Sequence, residues 1–439
     1  MDDNFVLLHL GTKNENVAIK TFHGITKRVN IQNIIMQGGV FGSLQCTTSI
    51  DNLAKEVYRR PELLYMYKGV VEVPPLLMVD DILTISKCSP TAVAMNSTVN
   101  AFIESKKLKL SHKKCIAIHV GKKTGCCPVL KVHEEDMHRG ESSKYLGDLF
   151  HSSGKSRYNI LERSTKAYAI LAEIRAILND VPLGKYRVEA GLHLRQAMFL
   201  NGVLFNSEVW QGLDATDLTM LQTVDNQMMR VICHNAHSKT PVEFLYLETA
   251  AQPLKYIISA RRIMYLHNIL SRNNEELVRR TYEAQKSDPT KGDFYCLVKS
   301  DLQQIDQQLN EEKIMSMSKI QFKTHIKKLL NQLIFSDLKV LQNSHSKVRD
   351  IKYTHFRTQP YLKSHTFSNE MASILLNMRS SMTRNLKSNF TSLHRDNLNC
   401  KMKCQDQNSQ DSQSHLLQCE VLLQKLSVEE LTKPEKCQI

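Results

Sequence analysis

The run Leu76-Leu77-Met78-Val79-Asp80-Asp81-Ile82-Leu83-Thr84-Ile85 is apolar on both sides of two adjacent acids. Both flanks are rich in residue types that favour β-strands. Apolar strand, two acids, apolar strand is the order expected when a tight hairpin presents carboxylates at its tip. We therefore predict a hairpin here, and an ordinary Asp-Asp turn between two strands is the alternative.

The paired carboxylates define a candidate metal site. Mg²⁺ prefers hard oxygen ligands and takes only one or two from protein when phosphates complete its shell. Nucleotidyl transfer uses such carboxylates to hold the ions that activate an attacking 3′ oxygen and neutralise the leaving pyrophosphate. Asp80 and Asp81 are therefore candidate Mg²⁺ ligands and catalytic residues.

Composition limits the function classes. The chain has 439 residues, and its 58 Lys and Arg exceed its 44 Asp and Glu, giving a net charge of +14. Such an excess favours a polyanionic partner, although a soluble protein that is merely basic fits equally well. Residues 1–10 lack the apolar run of a signal peptide, and no stretch approaches the ~20 apolar residues of a membrane helix. We expect an intracellular protein without a membrane partner, whose 11 Cys are thiols or metal ligands.

The pattern around the acidic pair predicts an α+β fold in the first 150 residues. Val71–Val79 and Cys115–Val120 are predicted strands, and Ala92–Lys107 between them has helical periodicity. This order predicts a mixed sheet with helical cover. We assign residues 1–150 to this first domain.

The remaining chain is predicted to be mostly helical. The amphipathic stretches, separated by Pro182, Pro241 and Pro253, are Leu161–Leu178, Tyr186–Phe205, Asp217–His234 and Leu254–Ser271. Trp210 and the methionines at helical spacing are predicted to be core residues, and these methionines are Met220, Met228 and Met229. We assign residues 151–285 to a helical domain, 295–395 to a basic helical region and 426–439 to a tail.

The basic helical region interleaves cations with aromatic residues. Between Gln321 and Asp396 there are 13 Lys or Arg and 4 acids. The aromatic residues are Phe322, Tyr353, Phe356, Tyr361, Phe367 and Phe390. Cations for phosphates and rings for base stacking suit a nucleic-acid surface. A solvated helical face with ordinary core aromatics is the alternative.

Several weak motifs flank the acidic pair in a fixed order. Met36-Gln37-Gly38-Gly39 forms a Gly-rich bend upstream, Ile103–Lys123 is rich in lysine downstream, and Tyr145-Leu146-Gly147 follows. This series resembles the palm of non-LTR (LINE-type) retrotransposon reverse transcriptases. Gln37 and Gly38 look like the family's Gln-Gly motif, and Met78-Val79-Asp80-Asp81 looks like its x-x-Asp-Asp box, with Met78 in place of the usual aromatic residue.

The resemblance extends further along the chain. Lys114-Cys115 is similar to the Lys-containing motif after the Asp-Asp box, and Tyr145-Leu146-Gly147 to the strand leading toward the thumb. Thr240–Glu243 with Leu245–Thr249 is similar to the segment beyond the thumb. The resemblance implies RNA-directed DNA synthesis on an RNA template and a DNA/RNA duplex, with Mg²⁺ on Asp80 and Asp81. It also implies template and nucleotide contacts from Gln37 and Gly38, and a place for Lys114 near the triphosphate.

One departure from the family concerns its first catalytic Asp, which lies in a strand well upstream of the Gln-Gly bend. Only 35 residues precede Met36, and Asp2 and Asp3 are not set in a comparable apolar strand. Two carboxylates cannot be assumed to hold both metal ions. We therefore expect an N-terminally truncated fragment, with a partial palm and a thumb, that is inactive alone. A non-catalytic nucleic-acid-binding protein derived from a retroelement is the alternative.

A cysteine–histidine cluster lies near the C-terminus. Cys400, Cys404, His415 and Cys419 offer three thiols and one imidazole in two close pairs, which suits tetrahedral Zn²⁺. The cluster resembles the zinc knuckle that follows the thumb in several non-LTR polyproteins. We predict a zinc-knuckle-like segment at residues 396–425, and four unrelated residues in a Cys-containing tail are the alternative. The oligomeric state is left open.

Overall fold

The chain is an α+β protein, as predicted. The computed structural model describes residues 15–18, 20–22, 24–31, 42–121, 128–180, 186–211, 213, 215–363 and 368–380. The chain divides into two compact units, unit 1 (Met1–Gly154) and unit 2 (Lys155–Ile439). Each unit has its own core.

The strands of unit 1 are short. They are β1 (Glu15–Val17), β2 (Lys20–Thr21), β3 (Gly24–Ile25), β4 (Val29–Ile31), β5 (Tyr65–Tyr67), β6 (Val71–Val73), β7 (Leu76–Met78), β8 (Asp81–Leu83), β9 (Ile116–Ala117), β10 (Lys131–Val132), β11 (Glu135–Asp136), β12 (His138–Arg139), β13 (Ser142–Tyr145) and β14 (Asp148–His151).

These strands pair two by two across the described part of unit 1, so the predicted mixed sheet is not observed. Six pairs are antiparallel, and β9 with β12 is the parallel one. The predicted strand Val71–Val79 is also divided, because Pro74 and Pro75 separate β6 from β7 and a proline has no N–H for a ladder.

Two helices supply most of the core of unit 1. They are α1 (Gly42–Tyr58) and α2 (Ser89–Ser105), and α2 contains most of the helix predicted at Ala92–Lys107. The buried apolar residues of this core are Leu53, Val57, Leu63, Leu64, Met95, Val99, Phe102 and Ile103. The core is small, and the acidic hairpin packs against one side of it through Leu77 and Ile82.

The described residues of unit 2 contain helices and connecting segments but no β-strand. Its helices are α3 (Arg157–Asp180), α4 (Arg187–Leu194), α5 (Asn201–Val203), α6 (Ala215–Ile232), α7 (Val242–Thr249), α8 (Leu254–Leu270), α9 (Leu277–Ser287), α10 (Phe294–Ile305), α11 (Glu311–Met315), α12 (Lys319–Asn343) and α13 (Asn369–Arg379). The predicted helix Tyr186–Phe205 is observed from Arg187 to Val203, and its middle part, Arg195–Leu200, is π-helical and joins α4 to α5.

One continuous apolar core connects α3 with every later long helix of unit 2. Trp210, Met228 and Met229 are buried in it, as predicted, whereas Met220 is half-buried. Unit 2 also buries charged side chains. Asp225 accepts hydrogen bonds from Arg195 Nε (2.6 Å) and Nη2 (2.7 Å) and from the Tyr246 hydroxyl (2.7 Å).

A second buried carboxylate connects α7 to the C-terminal part of unit 2. Glu248 is fully buried and accepts hydrogen bonds from the hydroxyls of Tyr353 and Tyr361. The Arg379 guanidinium donates to the same carboxylate, with Nη2 at 2.8 Å from Oε1. The positive charge of Arg379 compensates the buried charge of Glu248, and the two tyrosine hydroxyls donate further hydrogen bonds to it.

Among the described residues, the structure contains no helix both long and apolar enough to cross a membrane.

Candidate functional site

The two acids lie at the tip of a β-hairpin. Strands β7 and β8 pair antiparallel, with Leu77 opposite Ile82 and Met78 opposite Asp81. Val79 and Asp80 form the two-residue turn, so Asp80 lies in the turn and Asp81 is the first residue of the returning strand. Both carboxylate residues are exposed.

Side-chain alternation explains why the acids face outward. Leu77 and Ile82 are a directly opposed pair, and both pack against the core of unit 1. Successive side chains of a strand point to opposite faces, so Met78 and Asp81 lie on the other face. Met78 is 52% exposed, which agrees with that orientation.

The backbone at the turn is strained. Val79 has a φ of 56°, in the left-handed region that β-branched residues rarely adopt. A tight two-residue hairpin needs positive φ at its first central residue, and glycine or asparagine usually supplies it. Valine at this position costs roughly 1–2 kcal/mol in local conformational energy. Strain of this kind is concentrated at functional sites in proteins.

Two side chains from elsewhere in unit 1 hold the hairpin. The Cys46 thiol on α1 donates a hydrogen bond to the carbonyl oxygen of Val79 at 3.1 Å. The Tyr145 hydroxyl at the end of β13 donates to the carbonyl oxygen of Leu76 at 3.3 Å. The first bond fixes the turn that carries Asp80, and the second fixes the start of β7.

The acids and these two side chains influence one another electrostatically. Burial raises the pKa of the Cys46 thiol, and the negative charge of Asp80 raises it further. Burial likewise raises the pKa of Tyr145, with a further contribution from Asp81. Cys46 and Tyr145 are therefore held in their protonated, donor forms beside the carboxylates.

The turn after Tyr145 also has a defined conformation. Leu146 and Gly147 both have positive φ, at 47° and 84°, and they connect β13 to β14. Positive φ at both central residues is the requirement of a type I′ hairpin turn. The Tyr145-Leu146-Gly147 segment therefore forms a second tight hairpin, and its tyrosine contacts the first.

Lys114 lies in a short 3-10 helix, His112–Lys114, which precedes β9. Its side chain is exposed, and within the described residues it makes no hydrogen bond or ion pair. The structure gives no contact between Lys114 and the acidic hairpin. Its ammonium is available to an anion, and its assignment to a triphosphate stays a prediction.

Other predicted site residues lie outside the described residues. Gln37 and Gly38 are among them, although α1 begins only four residues after Gly38. The four predicted zinc ligands also lie outside the described residues, and they are Cys400, Cys404, His415 and Cys419. The two nucleotide-contacting residues and the zinc cluster therefore stay predictions.

The donor set at the hairpin suits one divalent ion with a phosphate ligand. Asp80 and Asp81 are adjacent, exposed and not hydrogen-bonded to other described residues, so their oxygens are available. Across the described part of the chain, no group of three or more His, Cys, Asp or Glu side chains converges on one point. Mg²⁺ commonly takes only one or two carboxylates from protein and completes its shell with phosphates and water.

The aromatic residues of the basic region belong to the core. Phe322, Tyr353 and Tyr361 are buried, and Phe356 is half-buried against Phe335. Phe367 and Phe390 lie outside the described residues. Three of the four described rings are thus unavailable for base stacking in this structure, which favours the alternative of a solvated basic face over an aromatic core.

Sequence reasoning missed Cys46. Its partner carbonyl lies 33 residues away, and no local pattern marks a single cysteine on an amphipathic helix.

Comparison with known proteins identifies no relative. No protein-family model, no curated protein and no solved structure matches the chain.

Proposed function

We propose that this chain is a reverse-transcriptase-like protein of non-LTR retrotransposon origin, whose Asp80–Asp81 hairpin binds Mg²⁺ next to a nucleic-acid substrate. One observation carries the proposal. The Tyr145-Leu146-Gly147 segment contacts the hairpin that carries the Asp-Asp pair, because the Tyr145 hydroxyl donates to Leu76 O across 69 residues. A chance Asp-Asp turn would not require such a contact.

The chemistry of the site follows from its donors. Mg²⁺ bound by Asp80 and Asp81 would neutralise charge on a nucleotide's phosphates. Exposed Lys114 is assigned to the triphosphate, and Gln37 with Gly38 to the template and incoming nucleotide. Cys46 and Tyr145 keep the carboxylates in place through their backbone contacts.

Polymerisation by this chain alone is not part of the proposal. The family uses three carboxylates, and the described residues supply two adjacent ones without a third converging group. Two carboxylates hold one ion more readily than two. The chain therefore binds metal and nucleic acid but does not extend a primer unless a further carboxylate is supplied.

A second candidate function is non-catalytic nucleic-acid binding by a retroelement-derived protein. The net charge of +14 favours it, because cations on a protein release counterions from phosphates whether or not catalysis follows. The two candidates differ in whether Asp80 and Asp81 bind Mg²⁺ next to the nucleic acid.

Primer extension and duplex binding test the proposed inactivity and the nucleic-acid binding that both candidates share. The full chain is incubated with poly-A RNA, an oligo-dT primer, dTTP and Mg²⁺, next to Asp80→Ala, and duplex binding is measured across a salt series. We expect salt-sensitive binding and no extension. Extension that Asp80→Ala abolishes would contradict the proposed inactivity, whereas binding that is absent or insensitive to salt would exclude both candidates.

Zinc binding by Cys400, Cys404, His415 and Cys419 is a further part of the proposal. It rests on the Cys-x₃-Cys and His-x₃-Cys spacings. Release of zinc from the purified chain on thiol modification, measured with a chromogenic chelator, should reach one equivalent. Cys404→Ser should lower it markedly, and an unchanged zinc content in that variant would reject the site.

A further inference from the structure

Helix α12 carries a row of exposed lysines beside its buried face. The buried residues follow one another at intervals of four, and they are Phe322, Ile326, Leu330, Ile334 and Leu338. Lys319, Lys323 and Lys327 follow the adjacent row with the same interval, and that row continues through Asn331 and Phe335 to Lys339. We call Lys319, Lys323, Lys327 and Lys339 the lysine ridge, and all four are exposed.

The lysine ridge has no counter-ions in the described structure. None of its four ammonium groups forms an ion pair with a described residue, and Lys339 lies over the Phe335 ring at 5.0 Å. The only acid in the sequence of α12 is Asp337, which accepts a hydrogen bond from Tyr256 and pairs with Lys255 at 3.7 Å. That acid is engaged by α8 and does not compensate the ridge.

Other helices of the same protein pair their cations at this spacing. Asp51 and Lys55 on α1 are 3.0 Å apart, and Arg279 and Glu283 on α9 are 2.7 Å apart. Like charges four residues apart destabilise a helix by a few tenths of a kcal/mol per pair. The first three lysines of the ridge therefore maintain two repulsive pairs, where a purely structural helix would place a glutamate.

The shape of the ridge selects an extended polyanion. Successive lysines rise by ~6 Å along the helix, and Lys319 to Lys339 spans ~30 Å. A single phosphate group or a small nucleotide cannot contact all four. The backbone of a nucleic-acid duplex, with one phosphate per ~1.7 Å of its axis, offers anions along this whole length.

The ridge also favours backbone contacts over base contacts. The outward row of α12 contains no aromatic side chain, and its residues are Ile320, Thr324, Lys328, Gln332, Ser336 and Val340. Phe335, which lies in the ridge row, is half-buried and has the Lys339 ammonium over its ring, and the nearby ring of Phe322 is buried. Without exposed rings the surface cannot stack on unpaired bases, as proteins that bind single strands do.

We propose that the lysine ridge of α12 binds the phosphate backbone of a nucleic-acid duplex without sequence preference. This inference rests on the proposed nucleic-acid function, and it assigns the contact to one helix face of unit 2. Phosphate contacts position a protein on a duplex but carry no sequence information.

The test compares two triple variants of the full chain. Lys319→Gln/Lys323→Gln/Lys327→Gln removes three ridge charges, and Lys291→Gln/Lys299→Gln/Lys352→Gln removes three exposed charges elsewhere in unit 2. Binding of a dye-labelled 20-base-pair RNA·DNA duplex is followed by fluorescence anisotropy at five salt concentrations, and Trp210 fluorescence checks that both variants are folded. The ridge variant should bind at least ten-fold more weakly at low salt, and its salt slope should fall by about 2 to 3.

Each other outcome contradicts a stated part of the inference. Equal losses of duplex affinity in the two variants would show an effect of net charge alone and would contradict binding by the ridge. A ridge variant that binds the duplex as tightly as the wild type would contradict it too. If the wild type bound a matching single strand more tightly than the duplex, the duplex would be excluded as the partner. The duplex would also be excluded if the ridge variant lost binding to phosphatidylserine vesicles but kept duplex binding. Absence of duplex binding by the wild type would reject the proposed function itself.

Discussion

Unit 1 and unit 2 use carboxylates in opposite ways. In unit 1, Asp80 and Asp81 lie exposed at the tip of a hairpin, without hydrogen bonds to other described residues. In unit 2, Asp225 and Glu248 are completely buried, and each accepts several hydrogen bonds. Removing a buried carboxylate leaves its donors unpaired and destabilises the fold, whereas exposed neighbouring carboxylates are available to a ligand.

The two units also differ in how much core supports these groups. The acidic hairpin packs through Leu77 and Ile82 against a core of eight buried residues. The carboxylates of unit 2 lie inside a continuous core that includes ten buried residues in α6 and α7 alone. They are Leu221, Val224, Met228, Met229, Val231, Ile232, Phe244, Leu245, Tyr246 and Leu247. Substitutions should therefore change stability mainly in unit 2 and ligand binding mainly in unit 1.

The largest expected effect is on the buried pair of unit 2. Asp225→Ala leaves Arg195 buried without its carboxylate and should lower the free energy of unfolding by about 3–5 kcal/mol. Guanidinium unfolding followed by the fluorescence of Trp210, the only tryptophan in the chain and a buried residue of unit 2, measures it. Asp80→Ala is the matched control and should leave this transition unchanged. If Asp225→Ala lowered the free energy of unfolding by less than about 1 kcal/mol, the proposed difference between buried structural carboxylates and exposed ligand-binding carboxylates would be contradicted.

Acid should destabilise unit 2 through His234. Burial, with the nearby charge of Arg187, lowers the pKa of His234 from 6.5 to about 4. Between these two pH values the unfolded imidazole binds a proton that the folded one does not. The free energy of unfolding therefore falls as the pH is lowered from 6.5 to 4, by up to about 3 kcal/mol.

The same unfolding measurement, repeated at several pH values, tests this contribution. His234→Asn is the comparison, because asparagine tolerates the positive φ of 55° at this position and does not titrate. The difference in stability between the wild type and His234→Asn should narrow or reverse toward pH 4. A difference that is independent of pH would show that His234 is not the titrating group.

The local sequence pattern predicts the hairpin, but it does not predict contacts between residues that are distant in the sequence. Leu76–Leu83 folds as expected because alternation and a central polar pair are properties of neighbouring residues. The contacts that hold it, from Cys46 and Tyr145, join residues 33 and 69 positions apart. The tyrosines that bond Glu248 lie 105 and 113 positions beyond it, so composition alone suggested a stacking surface where they form core.

Helices show the same division. The predicted helix Leu161–Leu178 lies within α3, because the spacing of its apolar residues is a property of neighbouring residues. The π-helical segment at Arg195–Leu200 was not predicted, since it places Arg195 against Asp225, a residue on another helix. Similarly, the mixed sheet was an inference from element order, and the strands instead pair locally.

A smaller effect is expected when a contact on the hairpin is removed. Tyr145→Phe deletes the hydroxyl that donates to Leu76 O, and it should reduce the local stability of the hairpin by about 0.5–1.5 kcal/mol. Hydrogen exchange of a peptide covering residues 76–83, read by mass spectrometry, measures it. Tyr65→Phe in the same unit is the control and should leave this peptide's exchange unchanged. Equal exchange in all three proteins would show that Tyr145 does not hold the hairpin.

The smallest expected effect concerns the strained turn. Val79→Gly relieves the positive φ of 56° but adds conformational entropy to the unfolded chain, so these two terms largely offset each other. The same hydrogen-exchange peptide should be stabilised by less than about 1 kcal/mol. Val79→Ala keeps the disfavoured φ without the glycine's freedom and should give no stabilisation. Marked destabilisation by glycine would mean that the valine side chain, rather than the turn, determines local stability.

The central claim is that the exposed acids of unit 1 bind a divalent ion, and Mn²⁺ titration followed by electron paramagnetic resonance tests it most directly. The full chain is titrated with dTTP present, beside Asp80→Asn, Asp81→Asn and the control Asp136→Asn, which removes one exposed acid elsewhere in unit 1. The account predicts a bound ion whose affinity falls at least ten-fold in the first two variants and is unchanged in the control. Equal affinity in all four proteins, or an equal decrease in all three variants, would contradict it.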